Sequence, residues 1–463
     1  MTEIICPTVD IFLYDLIESL GASEQEKKNK RKYFKSKLPE DIQQELLISD
    51  NDVLVEYVHL LPNMYKTFAS NSTYKGYYYP VQLGDTYGLL IECNFQQETE
   101  AKSPQCFEDL KKELDKNILK DKKGTIGQTL TIYGCLPLSS SISPEQIEKV
   151  AKDCYEAVIP NLNWDEELDG KGEYLGATIF ELSRDRLVKQ KLQIEEKQEK
   201  ETIQNNQHVI IIIYPDRQTL DDISGRFHSD WMRLFHYYHK MMWAYGQSLK
   251  IKKSLKTDFA DITTSSQSID KKPDRQVNFK TLDRTLQEIQ NTLNDYATDL
   301  NNLDFQQSTI EINLSNYEKR IAAIKEKSEQ LSQRSSNLEL FAEFTKLVED
   351  KYLVQIKKDK ENLERGFKLL ENTINAVRSR IEVKKAESDR NFQELVTVVG
   401  SGIAVVSIVK TTSKEQCEAY FKLDIINNLS NYKGICEYPL LYSLTIALIV
   451  AILTWLIRRL WQR

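Results

Sequence analysis

Two groups of residues in this 463-residue chain have the types and spacing that metal chemistry uses. His236-x-x-His239 places two imidazoles on one face of a helix, close enough to share a cation. His228 lies roughly 12 Å further along the same axis, and no third ligand follows from the spacing. Packing histidines are the other reading of that pair. Asp165-x-Glu167-x-Asp169-Gly170 has the alternating carboxylates that open an EF-hand loop. Its twelfth position is Gly176 where the bidentate glutamate belongs, so the alternatives are a weak regulatory cation site and an exposed acidic loop.

Other chemistries find no constellation. The glycines of Gly124 to Thr129 and Gly170 to Gly176 lack the Gly-Lys-Ser/Thr of a phosphate loop, and there is no G-x-S-x-G or H-E-x-x-H. The expectation is therefore a protein that is not an enzyme and has no resident cofactor, with a divalent cation such as Mg2+ left open as substrate or regulator. Lys27, Lys28, Lys30, Arg31, Lys32, Lys35 and Lys37 form a basic cluster that suits anionic lipid headgroups, a nucleic acid or simply a solvated helix face. The net charge of −7 gives no reason to expect nucleic acid as a partner.

The elements that must position these residues divide the chain into four stretches. Residues 1–215 read as a mixed α/β domain. Apolar spacing predicts a helix over Val9 to Leu20, and a second, basic one over Glu24 to Lys37. Gly76 to Val81 and Tyr87 to Asn94 flank the turn-like Leu83-Gly84-Asp85-Thr86, which predicts a hairpin. Gln128 to Leu136, Leu175 to Leu182 and Val209 to Tyr214 read as strands, and Ser143 caps a helix that Pro160 follows. Cys6, Cys93, Cys106, Cys135 and Cys154 have no C-x-x-C spacing and read as small core residues. Residues 216–276 predict an aromatic-rich helix (Asp221 to Lys256) and a polar linker (Asp258 to Asp274). Residues 277–392 predict a helical stalk. Leu282, Leu286, Ile289, Leu293, Tyr296, Leu300 and Leu303 alternate steps of four and three, as do Leu363, Phe367, Leu370, Ile374, Val377 and Ile381. Gln333 to Asn337 reads as the turn between antiparallel arms.

Residues 393–463 carry two apolar segments, Leu395 to Val409 and Leu440 to Ile457, and the chain ends in Arg458-Arg459-Leu460-Trp461-Gln462-Arg463. At 1.5 Å per residue the second segment spans roughly 27 Å, near a hydrocarbon core. The expectation is an integral membrane protein with transmembrane helices at about 393–412 and 439–459. Basic flanks place both termini in the cytoplasm and loop 410–437 outside. Cys417 and Cys436 in that loop either pair or stay free thiols. On a helical wheel Thr397, Gly400, Ser401, Ala404, Ser407 and Thr411 share one face, which serves close helix packing or lines a wet pore. Glu415 continues that face toward an outer mouth, with Glu418 beside it. The fold class expected is thus an α+β cytoplasmic domain, a long antiparallel helical stalk and a two-helix C-terminal transmembrane hairpin.

This order of parts resembles that of the CorA-like divalent-cation transporters. Their Gly-Met-Asn signature is replaced here by Val409-Lys410-Thr411-Thr412-Ser413-Lys414. The resemblance implies a homo-oligomer, a pentamer in that family, embedded among membrane lipids. Its first membrane helices would surround the axis, with Arg390 and Gln393 at the inner mouth. The function it implies is an ion channel or transporter with atypical selectivity. The alternative is a membrane-anchored sensor, scaffold or effector whose cytoplasmic domain binds a partner or ligand.

Overall fold

A computed structural model describes residues 3–385, apart from 19–21, 49–55, 71, 118–122, 138–142, 160–162, 185–206, 224, 271–278, 332–333 and 335. In chain order the elements are β1 (Ile5–Leu16), α1 (Glu24–Lys35), α2 (Glu40–Glu45), β2 (Val58–His59), β3 (Lys66–Ser70), β4 (Tyr74–Leu83) and β5 (Thr86–Phe95). Then come α3 (Cys106–Asn117), β6 (Gly127–Cys135), α4 (Pro144–Val158), α5 (Trp164–Glu167), β7 (Leu168–Tyr174), β8 (Ala177–Arg184) and β9 (Gln207–Tyr214). The remaining helices are α6 (Arg217–Ile223), α7 (His228–Asp270), α8 (Phe279–Leu331), α9 (Ala342–Leu347) and α10 (Val354–Lys385). The chain divides into two units, residues 1–254 with 300–363 and residues 255–299 with 364–463, and the divisions fall inside the long helices.

The first unit is built on a nine-stranded sheet in the order β2-β4-β5-β1-β6-β9-β8-β7, with β3 paired to β4. Its pairs are antiparallel except β6 with β9. The β4–β5 hairpin turns on Gly84, whose φ of +55° suits a residue without a Cβ. Because side chains alternate along a strand, the sheet has two different faces. One is apolar: Val9, Ile11, Leu13, Leu89, Ile91, Leu130, Ile132, Val209 and Ile211 pack with Phe107, Leu110 and Leu114 of α3 and Val150 and Cys154 of α4. Ser143 secures α4 with a capping box to Gln146. The other face carries polar and aromatic residues and is covered by α7. Phe12 meets Phe235 edge-on with ring centroids 5.1 Å apart, and Tyr14 donates to the Met232 carbonyl at 2.9 Å.

Several expectations need correction. Val9 to Leu16 belongs to strand β1, the middle strand between β5 and β6, and its residues are buried almost throughout. A short apolar run that is buried on both faces has no period to separate strand from helix. The polar linker after Lys256 is helical instead, since α7 runs for 43 residues to Asp270. In the second unit Leu255, Ile262 and Ser266 of this stretch are buried, and the Thr263 hydroxyl donates to the Phe259 carbonyl. Packing there overrides the loop-like composition. The heptad run forms the 53-residue α8. The arm after it is not one helix from Leu338: a short 3-10 turn, α9 and a π-helical turn at Val348–Leu353 precede α10. In the second unit Tyr296 stacks on Phe367 at 6.0 Å, and Leu286, Ile289, Leu293, Leu370 and Ile374 are buried.

The largest correction concerns the membrane. No helix of the described residues is long and apolar enough to cross one. The long helices carry charge throughout, as the Lys357-Lys358-Asp359-Lys360-Glu361 run of α10 illustrates. The expected transmembrane hairpin, the integral-membrane location and the topology built on it therefore find no support in the described structure. The segments about 393–412 and 439–459 lie outside the described residues. So do Arg390, Gln393, the small face of Thr397 to Thr411, Glu415, Glu418, Cys417 and Cys436.

Candidate metal centre

Strand register brings a row of polar side chains across the face that α7 covers. Tyr77 on β4 lies opposite Glu92 on β5, Glu92 opposite Asp10 on β1, and Asp10 opposite Thr131 on β6. The row continues through Ile210 on β9 to Glu181 on β8. His228, the first residue of α7, reaches the Tyr77 end. The Tyr77 hydroxyl lies 3.0 Å from its Nδ1 and 3.2 Å from its Nε2. One ligand atom each from Asp10, Glu92 and His228 comes within 4.8 Å of the others, the spacing a single bound cation requires.

The electrostatics of this group are unusual. Asp10 is 3% exposed, while Glu92 and His228 are partly buried. Oδ1 of Asp10 and Oγ1 of Thr131 are buried with no hydrogen-bond partner. Burial, helped by the charge of Glu92, pushes the Asp10 carboxyl well above the ordinary carboxylate range. Burial likewise pushes Glu92 up to about 7, against hydrogen bonds from tyrosine hydroxyls that stabilise its charged form. One of these is donated by Tyr133 at 3.2 Å. Burial lowers His228 to about 4, so its imidazole is neutral and able to offer a lone pair. A cavity of about 50 Å³ adjoins Asp10, Thr131, Tyr133 and His228, walled by Trp231, Phe235 and other aromatics. A water needs roughly 10–15 Å³ of such volume, so this space suits an ion with a few waters and excludes most organic substrates.

One row along, a second network is buried under α7. His208 on β9 bonds Glu181 Oε1 through Nε2 at 3.0 Å and Thr129 Oγ1 through Nδ1 at 2.9 Å. Thr129 Oγ1 also lies 2.8 Å from Nε2 of His239, and the Tyr238 ring stacks on His208 at 4.1 Å. The order acid, imidazole, hydroxyl resembles a hydrolase triad. Thr129 is fully buried and held from two sides, so the network braces α7 against the sheet instead of presenting a nucleophile.

The residues singled out in the sequence are placed as follows. His239 belongs to this buried network. His236 is buried with both ring nitrogens unpartnered, and neither histidine belongs to a group of metal-ligand spacing among the described residues. Asp165 and Glu167 lie on α5, and Asp169 is the second residue of β7, so the run is not a calcium loop. Glu167 is buried and accepts from Tyr155 at 2.7 Å. The basic cluster is not one solvated face. Lys37 is fully buried, its Nζ 2.5 Å from the carboxylate of Asp15, and Lys27 pairs with Glu18 at 2.8 Å. Cys6 has φ +52°, and a hydrogen bond from Cys135 holds its thiol below the usual value. Asp10 and Glu92 carry no motif in the sequence: Glu92 is the one acid of β5, and Asp10 shares β1 with Asp15.

No protein-family model matches this chain, and no curated protein or solved structure does either. The resemblance to CorA-like transporters thus gains nothing from relatives, and the described residues contain no membrane helix to carry ion transport.

Proposed function

We propose that this chain is a metal-responsive binding protein whose α+β unit takes one divalent first-row transition-metal cation on Asp10, Glu92 and His228. The observation that carries the reading is the approach of their three ligand atoms to within 4.8 Å, with a buried Asp10 oxygen that lacks a partner. Two carboxylates and one neutral imidazole form a mixed oxygen and nitrogen set, which suits Zn2+ or Mn2+ better than the all-oxygen shells of Mg2+ and Ca2+. A divalent charge would offset the burial of two adjacent acids, which otherwise disfavours their ionisation. The partial exposure of Glu92 and His228 gives the ion a way in. Occupancy would tie the first residue of α7 to strands β1 and β5. The small cavity makes response to a metal a better reading than turnover of an organic substrate.

The test is calorimetric titration of the chelator-stripped full chain with Zn2+ and Mn2+, alongside the Asp10→Asn, Glu92→Gln double variant. One equivalent bound by the natural sequence and lost in the variant is the expected result. Equal stoichiometry and affinity in both proteins would overturn the assignment.

A further inference from the structure

A second cavity, of about 260 Å³, opens within the first unit between the β7–β8 edge of the sheet, α7 and the segment around α9. It is several times larger than the space beside the metal centre and has room for an organic group. Three carboxylates line it (Asp169, Glu181 and Glu343), together with the rings of Tyr238, Phe344 and Tyr352, and none of the lining residues is basic. Glu343 pairs with the exposed Lys346 at 2.7 Å. Glu181 is different. It is 2% exposed, its Oε1 is engaged by His208, and its Oε2 is buried with no hydrogen-bond partner. Leaving such an acceptor unmatched is costly, so a ligand that donates to it gains more than an exposed contact would give.

We infer that this cavity binds a small aliphatic amine in its ammonium form, with an N–H donated to Glu181 Oε2 and the alkyl body against Tyr238, Phe344 and Tyr352. Aromatic walls attract cations through their ring faces and also take the apolar methylenes. A bare metal ion fits less well, because these carboxylates do not close to metal-ligand spacing, whereas Asp10, Glu92 and His228 do. A quaternary ammonium has no N–H and would leave Oε2 unmatched. A diamine is favoured over a monoamine, since Asp169 and Glu343 can receive a second positive charge. This site is separate from the proposed metal centre, and neither assignment depends on the other.

The experiment titrates 1,4-diaminobutane into the full chain labelled with 13C at the methionine methyls. The sequence has five methionines, and Met242 lines the cavity. The Met242 methyl should shift saturably while that of Met64, on the opposite flank of the fold, stays still. Measured above pH 8, where the natural carboxyl is ionised, Glu181→Gln keeps a group able to bond His208 but lacks the charge, and it should weaken binding at least tenfold, about the loss expected for one charge-assisted hydrogen bond. Tetramethylammonium should bind more weakly than the diamine. The Asp10→Asn, Glu92→Gln variant should bind the diamine as the natural sequence does. No Met242 shift at millimolar diamine would overturn the proposal without recourse to any variant. Equal affinity in a folded Glu181→Gln protein above pH 8, or tetramethylammonium binding as tightly as the diamine, would overturn it as well.

Discussion

Replacing Glu181 by glutamine should change the pH dependence of stability in a direction opposite to that of most carboxylates. Burial raises the Glu181 carboxyl from an ordinary value of 4.5 to about 8. The groups facing it are His208 on β9, Asp169 on β7, Tyr238 on α7, Tyr317 on α8 and Glu343 on α9. Between pH 4.5 and 8 the folded chain keeps a proton that the unfolded chain has released, so stability falls as pH rises. The contribution is fully present below the unfolded value and is lost once pH passes the folded value. At 1.36 kcal/mol per unit, the ceiling on that loss is on the order of 5 kcal/mol. Glutamine stays neutral and can donate to His208 as the protonated acid does. The variant should therefore match the natural protein near pH 5 and exceed it progressively toward pH 8.

The hydrogen-bond chain adds a second readout. With Glu181 protonated, it donates to His208 Nε2, His208 Nδ1–H donates to Thr129, and Thr129 donates to His239 Nε2. With Glu181 ionised, every bond must reverse, and both histidines change tautomer. Urea unfolding at a series of pH values, followed by tryptophan fluorescence, gives the first quantity, and 15N chemical shifts of the two imidazoles give the second. The amine should be absent in both. Parallel stability profiles for the natural protein and the variant, together with tautomers that do not change with pH, would refute the reasoning.

Other outcomes follow from the same contacts. Asp15→Ala removes the carboxylate beside the fully buried Lys37 and should cost about 3–5 kcal/mol in chemical unfolding, far more than loss of the exposed pair Lys346–Glu343. Thr129→Val should cost roughly 1–3 kcal/mol by leaving His208 and His239 without their shared hydroxyl, with unfolding midpoints as the readout. A Cβ on Gly76 would overlap the Glu92 carbonyl oxygen and approach Phe68 Cζ to 2.6 Å. Gly76→Ala should therefore push β4 from β5 at the metal centre and weaken Zn2+ binding in calorimetry, although residue 76 offers no ligand. Unchanged affinity in that variant would show that the strand pairing does not set the site.

Where one local signal decided the structure, the sequence was readable. The Ser143 capping box, the Gly84 turn and the four-three spacing of α8 each act within a few residues. The candidate site is different in kind. Asp10 and Glu92 are joined only by the register of β1 with β5, and His228 only by the packing of α7 over the sheet. Reading Val9 to Leu20 as a helix gave Asp10 the wrong neighbours from the start. The clue available was chemical: acids within strands that are otherwise mostly apolar, which burial penalises unless a partner compensates. The histidines of α7 stand out by their spacing, yet His239 serves a hydrogen-bond chain, and the histidine with metal-ligand spacing is the one at the helix's first residue.

The most direct test of the central claim is X-ray absorption spectroscopy of the full chain loaded with one equivalent of Zn2+. The account predicts a first shell of oxygen and nitrogen at roughly 2.0–2.1 Å with the outer-shell scattering of a single imidazole, which disappears in His228→Ala. A sulfur shell at roughly 2.3 Å, or a spectrum unchanged by His228→Ala, would place the metal elsewhere and contradict it.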